Sequence, residues 1–342
     1  MGVWRKCMIK LAIDLGSSMT KIYRADTNSG VVLAEPSCVA VVGANQDIKA
    51  IGKEAKNLIG KTAEYMQIIY PIYEGVIVNM RLAVVMLQDF LSRIGIAKSA
   101  LRHAQILMNV PCGFGGQLLT DYEILAEECG LKNVRFVEQP YLGALGGGAI
   151  LSETEPIFSL DMGGGVANAA VISANGIISG IAINVGGNNM DANIIAKLAN
   201  QNQLHIGALT AEKIKNEIGS LSISALGTMV AEGSSTVTFQ PASCSIQAAE
   251  LTDCIRVYIN KILEYAKGVL CGLPAEVAAA VNRNGVYLSG GIMKLTYVPQ
   301  YISNQLGMRY HITEEPQFAT VLGGGVLLQD RDLLHRFAEK LD

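Results

Sequence analysis

Two aspartates, Asp14 and Asp161, each close an apolar run and precede a turn of small residues. The first segment reads LAIDLGSSMTKIY over 11–23 and the second FSLDMGGGVANAAVI over 158–172. Each is a strand–turn–strand pattern. A turn of small residues leaves successive backbone N–H groups bare, and such groups cradle phosphate oxygens. In the first turn these are Gly16, Ser17, Ser18 and Met19, with the serine hydroxyls as further donors. In the second they are Gly163, Gly164 and Gly165. Two carboxylates beside phosphates hold a hydrated Mg²⁺, which prefers oxygen ligands and keeps several waters. Asp14 and Asp161 are therefore metal candidates acting through water. One such hairpin alone reads as a structural turn capped by its Asp. Two in the same order, about half a chain apart, point to a duplicated unit and a nucleotide.

A third glycine turn follows. Residues 285–295 read GVYLSGGIMKL, in which Gly290 and Gly291 let backbone approach a flat ligand such as adenine. Gly323, Gly324 and Gly325 form another tight run before the C-terminal helix.

These turns need elements to hold them. Ala83, Met86, Leu87, Phe90, Leu91 and Ile94 recur at helical spacing. So do Leu118, Tyr122, Leu125, Ala126 and Cys129, and so do Ile255, Tyr258, Ile259, Ile262, Ala266, Val269 and Leu270. All three stripes read as core faces. Strand-like runs cover 104–110, 134–137 and 285–289. Strands interleaved with helices predict an α/β architecture.

Composition narrows the function classes. Of 342 residues, half are hydrophobic and 17% are charged, as in a folded chain rather than a disordered one. Net charge is −3 without a long basic run, so no nucleic-acid partner is expected. Seven cysteines, an odd number with no CxxC pair, read as reduced thiols in a cytoplasm. His103, His205, His311 and His335 lie far apart and do not form a metal motif. The start, MGVWRKCMIK, has too little apolar length for a signal peptide, and Lys6 stands where a myristoylation signal wants Ser or Thr.

The ordered motifs resemble the actin, sugar-kinase and heat-shock-chaperone ATPase superfamily, and most of all the bacterial actins of the MreB type. Beyond the glycines, LAEPSCVAVV at 33–42, IGKEAKNLIGKT at 51–62, YPIYEGVIVN at 70–79 and NVPCG at 109–113 fit that family. So do VEQPYLGALGGG at 137–148, NVGGNNMD at 184–191 and AEKIKNEIG at 211–219. The resemblance implies an α/β fold of duplicated ribonuclease-H-like domains with a nucleotide cleft between two actin-like lobes. Residues 1–145 with 315–342 would form the first lobe, with an insert at about 32–75. Residues 146–314 would form the second, with an insert at about 184–250. The family's roles would place Asp14–Thr20 and Asp161–Gly165 at the phosphates, and Gly290, Gly291 and Ile292 at the adenosine. Glu212 and Lys215, one helical turn apart, would contact ribose and adenine; read from the residues alone, they are a solvated pair of little energetic weight.

The sequence departs from the family at the chemistry. Gln139 stands before Pro140 where the family has a Glu acting on the attacking water. An amide positions water but takes no proton, and losing a general base costs about 10²–10⁴ in rate. After the three glycines the family has Thr, Thr, Glu; here stand Val166, Ala167 and Asn168. Val166 offers no polar partner to a water. Met19 replaces the usual Asn, and Ile292 replaces a third glycine.

The resemblance thus implies a cytoplasmic, filament-forming protein that binds ATP and Mg²⁺, serves cell shape, and hydrolyses ATP slowly or not at all. Its partners would be its own copies, the inner membrane surface and cell-wall synthesis proteins. A non-polymerising, chaperone-like or scaffold nucleotide-binding protein is the alternative. A small-molecule kinase would need a carboxylate base facing a sugar pocket, and no motif places one. The segment IGIAKSAL at 94–101 either exposes Ile96 and Leu101 beside Lys98 and Arg102 to a membrane or buries them in a loop-to-strand connection. Trp4, Arg5 and Lys6 are a second membrane candidate.

Overall fold

The computed structural model describes residues 8–27, 29–61, 65–222, 224–337 and the strand at 339–340. Trp4, Arg5 and Lys6 lie outside the described residues.

The chain opens with three antiparallel strands, β1 (Lys10–Leu15), β2 (Met19–Arg24) and β3 (Gly30–Pro36). A small sheet of β4 (Val39–Val42), β5 (Asp47–Ile51) and β6 (Met66–Ile69) follows, carrying the short helix α1 (Lys53–Lys56). The two-stranded hairpin of β7 (Ile72–Tyr73) and β8 (Val76–Ile77) leads into α2 (Met80–Arg93) and α3 (Lys98–Leu101). Then come β9 (Gln105–Val110), α4 (Gln117–Glu128), β10 (Val134–Glu138) and α5 (Gln139–Gly146).

The second half repeats the opening. β11 (Ile157–Met162), β12 (Ala167–Ser173) and β13 (Gly176–Ile183) are antiparallel. Next come α6 (Gly187–Gln201), β14 (Leu204–His205), α7 (Ala208–Ile218), β15 (Thr228–Ser235), β16 (Pro241–Gln247), α8 (Ala248–Cys271) and α9 (Ala275–Asn284). The chain closes with β17 (Val286–Ser289), α10 (Val298–Leu306), β18 (Tyr310–Ile312), α11 (Ala319–Gln329), α12 (Arg331–Phe337) and β19 (Glu339–Lys340).

The duplication is explicit in the two large sheets. One runs β3-β2-β1-β9-β10-β19, the other β13-β12-β11-β17-β18. In each, an antiparallel three-stranded meander is extended from its first strand by two parallel strands. β1 and β11 are therefore central, covered on both faces, and read as almost unbroken apolar runs. That position explains why Asp14 and Asp161, at the ends of these strands, are buried.

The helical stripes behave as expected: α2 buries Ala83, Met86, Leu87, Phe90 and Leu91, and α8 buries Ile255, Ile259, Ile262, Ala266 and Val269. Each sheet has its own core, and a third lies between them around Tyr141, Leu142, Leu145, Ile172 and Val321. Here α5 crosses α11 with their backbones in contact. A side chain at Gly146 would run into the Ala319 carbonyl, and one at Gly323 into that of Leu142. Of the tight glycine run near the C-terminus, Gly323 thus serves this crossing, while Gly324 and Gly325 lie against Ala12 of β1 and the Tyr23 ring of β2. Ile96 and Leu101 are buried, so these two side chains pack into a connection and are not offered to a membrane. No helix among the described residues is long and apolar enough to cross a membrane.

Candidate functional site

Both hairpin turns close alike. The Gly16 N–H donates to the Met19 carbonyl at 3.1 Å, and the Gly163 N–H donates to that of Val166 at 2.9 Å. The two turns face each other across a cleft whose cavity measures about 410 Å³, within the usual range of small-molecule sites. Its wall includes the predicted site residues Asp14, Gly16–Met19, Gln139, Asp161, Gly163–Gly165, Glu212, Lys215 and Gly290–Ile292, whereas Thr20, at the end of the first phosphate segment, is buried behind it.

The turns are complementary. A Cβ on Gly164 would collide with the Ser18 hydroxyl, and one on Gly165 would lie 2.9 Å from that of Ser17. The serines of one turn occupy the room that side chains on the other would need. Ser17 also accepts the Gly75 N–H at 3.1 Å, and Ser18 donates to Asn188 Oδ1 at 3.1 Å. Gly290 adopts φ 94°, and a side chain there would strike the Met162 backbone. Gly291 has open space around it. Ile292 is buried, so its bulk is taken up by the wall.

At the cleft floor the two aspartates are joined by two amides. Asn109 Nδ2 donates to Asp14 Oδ1 at 2.9 Å and to Gln139 Oε1 at 3.3 Å, and Gln139 Nε2 donates to Asp161 Oδ2 at 2.7 Å. Gln139 is the first residue of α5, directly after β10 and before Pro140, which suits the first helical turn. Its two ends are both engaged, so it acts as a bridge between the lobes' carboxylates. The adjacent carboxylate, Glu138, turns away and accepts the Gly113 N–H at 2.5 Å.

The aspartates differ in what faces them. Asp14 is held by Lys21 Nζ at 2.7 Å. Asp161 has no cation in contact among the described residues; Ser289 Oγ donates to it at 2.7 Å. Burial, opposed by the Ser289 hydrogen bond and reinforced by the nearby Asp14 charge, pushes the Asp161 carboxyl up to about 6. A divalent cation between these carboxylates would relieve both the burial cost and the repulsion. Carboxylate and amide oxygens and bare turn N–H groups fit a magnesium–polyphosphate group.

Val166 lines the cavity as the closing residue of its turn, and no hydroxyl stands there. Asn168 points elsewhere: its Oδ1 accepts the Cys112 N–H at 2.9 Å. The predicted ribose and base residues are paired already. Glu212 binds Lys56 Nζ at 2.6 Å, and Lys215 donates to Asp191 at 2.7 Å and to the Gly187 carbonyl at 3.1 Å. Lys21, Asn109 and Ser289 escaped the sequence reading. Strand alternation could have found Lys21, two residues from Met19 on β2 and so on the same face. Asn109 is the penultimate residue of β9 and Ser289 the last of β17, the parallel neighbours of β1 and β11, which only the sheet order reveals.

Residues 8–336 match the model of the MreB/Mbl protein family. The cell shape-determining protein MreB of Haemophilus influenzae is 31% identical over 330 residues, covering 94% of this chain and 93% of the relative. Among solved structures, MreB5 of Spiroplasma citri bound to AMPPNP aligns with a TM-score of 0.88 at 26% identity, over 94% of this chain and 96% of that one. A MamK double helical filament aligns with a TM-score of 0.77 at 17% identity, over 94% and 99%. The last likeness is one of fold.

Proposed function

This chain belongs to the MreB/Mbl protein family, and from that premise we propose that it is a filament-forming, ATP- and Mg²⁺-binding actin-like protein of the cell-shape machinery whose ATP hydrolysis is weak or lost. The observation that carries the nucleotide reading is the single cavity lined by both Asp-ended turns, with Asp14 and Asp161 linked through Asn109 and Gln139. The solved relative bound to AMPPNP supports it.

Each group then has a task. The turn N–H groups at 16–19 and 163–165 bind the phosphates, and Lys21 lies beside Asp14 to meet their charge. Asp14 and Asp161 would hold Mg²⁺. The ion, when bound, neutralises phosphate charge. Gly290 and Gly291 receive the adenosine, with Glu212 and Lys215 at ribose and base. Gln139 orients water without accepting its proton, and Val166 offers that water no hydrogen bond, so the site retains nucleotide better than it cleaves it.

We assign residues 1–145 with 315–342 to the first lobe and 146–314 to the second, with inserts at about 32–75 and 184–250. The self-partner is the filament neighbour. The cytoplasm, the inner membrane surface and cell-wall synthesis proteins follow from the family reading. At the former membrane candidate, Lys98, Arg102 and Lys132 line a shallow basic pocket in place of the apolar contact.

Calorimetric titration with ATP and Mg²⁺ tests the site: saturable binding is expected, and its absence at millimolar nucleotide overturns the reading. Pelleting with and without ATP tests the filament, and no sedimenting polymer in any nucleotide state would favour a non-polymerising scaffold.

A further inference from the structure

The mouth of the cleft carries a charge cluster drawn from both lobes. Asp191, Glu212 and Lys215 come from α6 and α7 of the second lobe, two carboxylates and one ammonium. The fourth member is Lys56, from the first lobe's insert. Its Nζ lies 2.6 Å from Glu212 Oε2 and 2.9 Å from Oε1, while Lys215 Nζ takes Asp191. Without Lys56 the cluster is net negative, beside a site for an anionic ligand.

Lys56 is set on a fixed support. It ends α1, whose Ala55 is fully buried against Cys38 and Ala40. Glu35 accepts the Lys53 N–H at 2.7 Å and also pairs with Arg93 at 3.3 Å. The Lys56 N–H donates to the Gly52 carbonyl at 2.9 Å, and Gly52 takes φ 69° over Glu35 and Phe90. The backbone under Lys56 is thus tied to β3, β4 and α2.

We infer that Lys56 is a positioning residue for nucleotide binding: from across the cleft it holds the Glu212 carboxylate in the orientation that receives the ribose hydroxyls. The inference deepens the nucleotide reading above and rests on it. An ionised carboxylate has about four acceptor positions, so the bond to Lys56 leaves lone pairs for a sugar. Lys56 also restrains a side chain that would otherwise sample several rotamers, and it cancels the excess negative charge at the mouth. Because the cation belongs to one lobe and the carboxylate to the other, the sugar contact is complete only when the lobes are closed.

The test compares ATP with 2′,3′-dideoxy-ATP, each with Mg²⁺, by calorimetry on the full chain and on Lys56→Ala and Lys56→Arg. Lys56→Ala is expected to weaken ATP about two- to fivefold, the scale of a partly exposed ion pair. It should leave dideoxy-ATP unchanged, because that ligand has no hydroxyl for Glu212 to meet. Lys56→Arg should restore ATP affinity. Equal losses for both nucleotides would assign Lys56 a merely structural role and overturn the inference, as would no loss for either. A parent chain that binds neither nucleotide overturns the site reading and this inference with it; a parent that binds both while the variants fail to discriminate overturns the inference alone.

Discussion

The first turn, around Asp14, and the second, around Asp161, share a backbone and differ in chemistry. Both close by the same hydrogen bond between the first and fourth residues after the intervening apolar position. Yet one carries two serines and the other three glycines, and the structure gives the reason. Ser17 and Ser18 project into the space above Gly165 and Gly164, so the cleft admits side chains from one turn only. The carboxylates diverge likewise. Asp14 has Lys21 against it, whereas Asp161 is enclosed with only hydroxyl and amide partners. The two cradles share one backbone, and packed face to face they carry unequal side chains.

The comparison can be broken most sharply at Val166, which ends the second turn, and at Gln139, which donates to Asp161 beside it. Phosphate release is expected near background, and Gln139→Glu combined with Val166→Thr should raise it by about 10²–10⁴. Gln139→Glu alone should do less, because it removes the amide that donates to Asp161 and sets a second carboxylate beside it. Malachite-green assays of parent, single and double variants decide this. A parent already turning over quickly would show that the polar groups lost at 139 and 166 were not needed.

Asp14→Ala comes next. It leaves the Lys21 ammonium, little exposed, without its partner, and should weaken ATP–Mg²⁺ about 30- to 1,000-fold by calorimetry. Retained affinity would mean that Asp161 alone carries the ion. Gly164→Ala probes the complementarity. Its methyl meets Ser18, and a loss of about tenfold or more in affinity is expected; adding Ser18→Gly should recover much of it. Failure of that rescue would detach the glycines from the serines opposite.

The smallest effect separates the two carboxylates by pH. Asp161 titrates near 6 in the fold, against 3.8 in an unperturbed chain. A raised acid favours the folded state fully below about 3.8, and that contribution is lost as pH rises through about 6. The nucleotide-free protein should therefore lose stability between these values relative to Asp161→Asn, read as the difference between their thermal midpoints across pH. ATP–Mg²⁺ should flatten the dependence by favouring the ionised carboxylate, and its affinity should decline below pH 6.

Much of the fold was legible because it rests on local pattern. The stripe from Ala83 to Leu91 does form a helix, and the apolar run into Asp14 does form a central strand. The glycines also reported correctly that backbone comes close to something, but not to what. Gly164 meets Ser18, Gly290 meets Met162, and Gly323 meets Leu142, three neighbours at three different places in the chain. The segment 94–101 shows the opposite limit: Ile96 and Leu101 suit an exposed apolar loop or a buried one equally well by type, and only packing buried them.

By itself the sequence determined the two Asp-ended turns and the alternation of strands and helices. These follow from residue type and short spacing. Tertiary structure alone decided that Gln139 bridges Asn109 and Asp161, that Lys21 partners Asp14, and that Lys56 reaches Glu212. Each joins groups on separate strands or helices, and the physical reason is one of distance. A side chain's charge and hydrogen-bonding capacity are written in its type, but which partner satisfies them is set by the elements the core brings within about 3 Å.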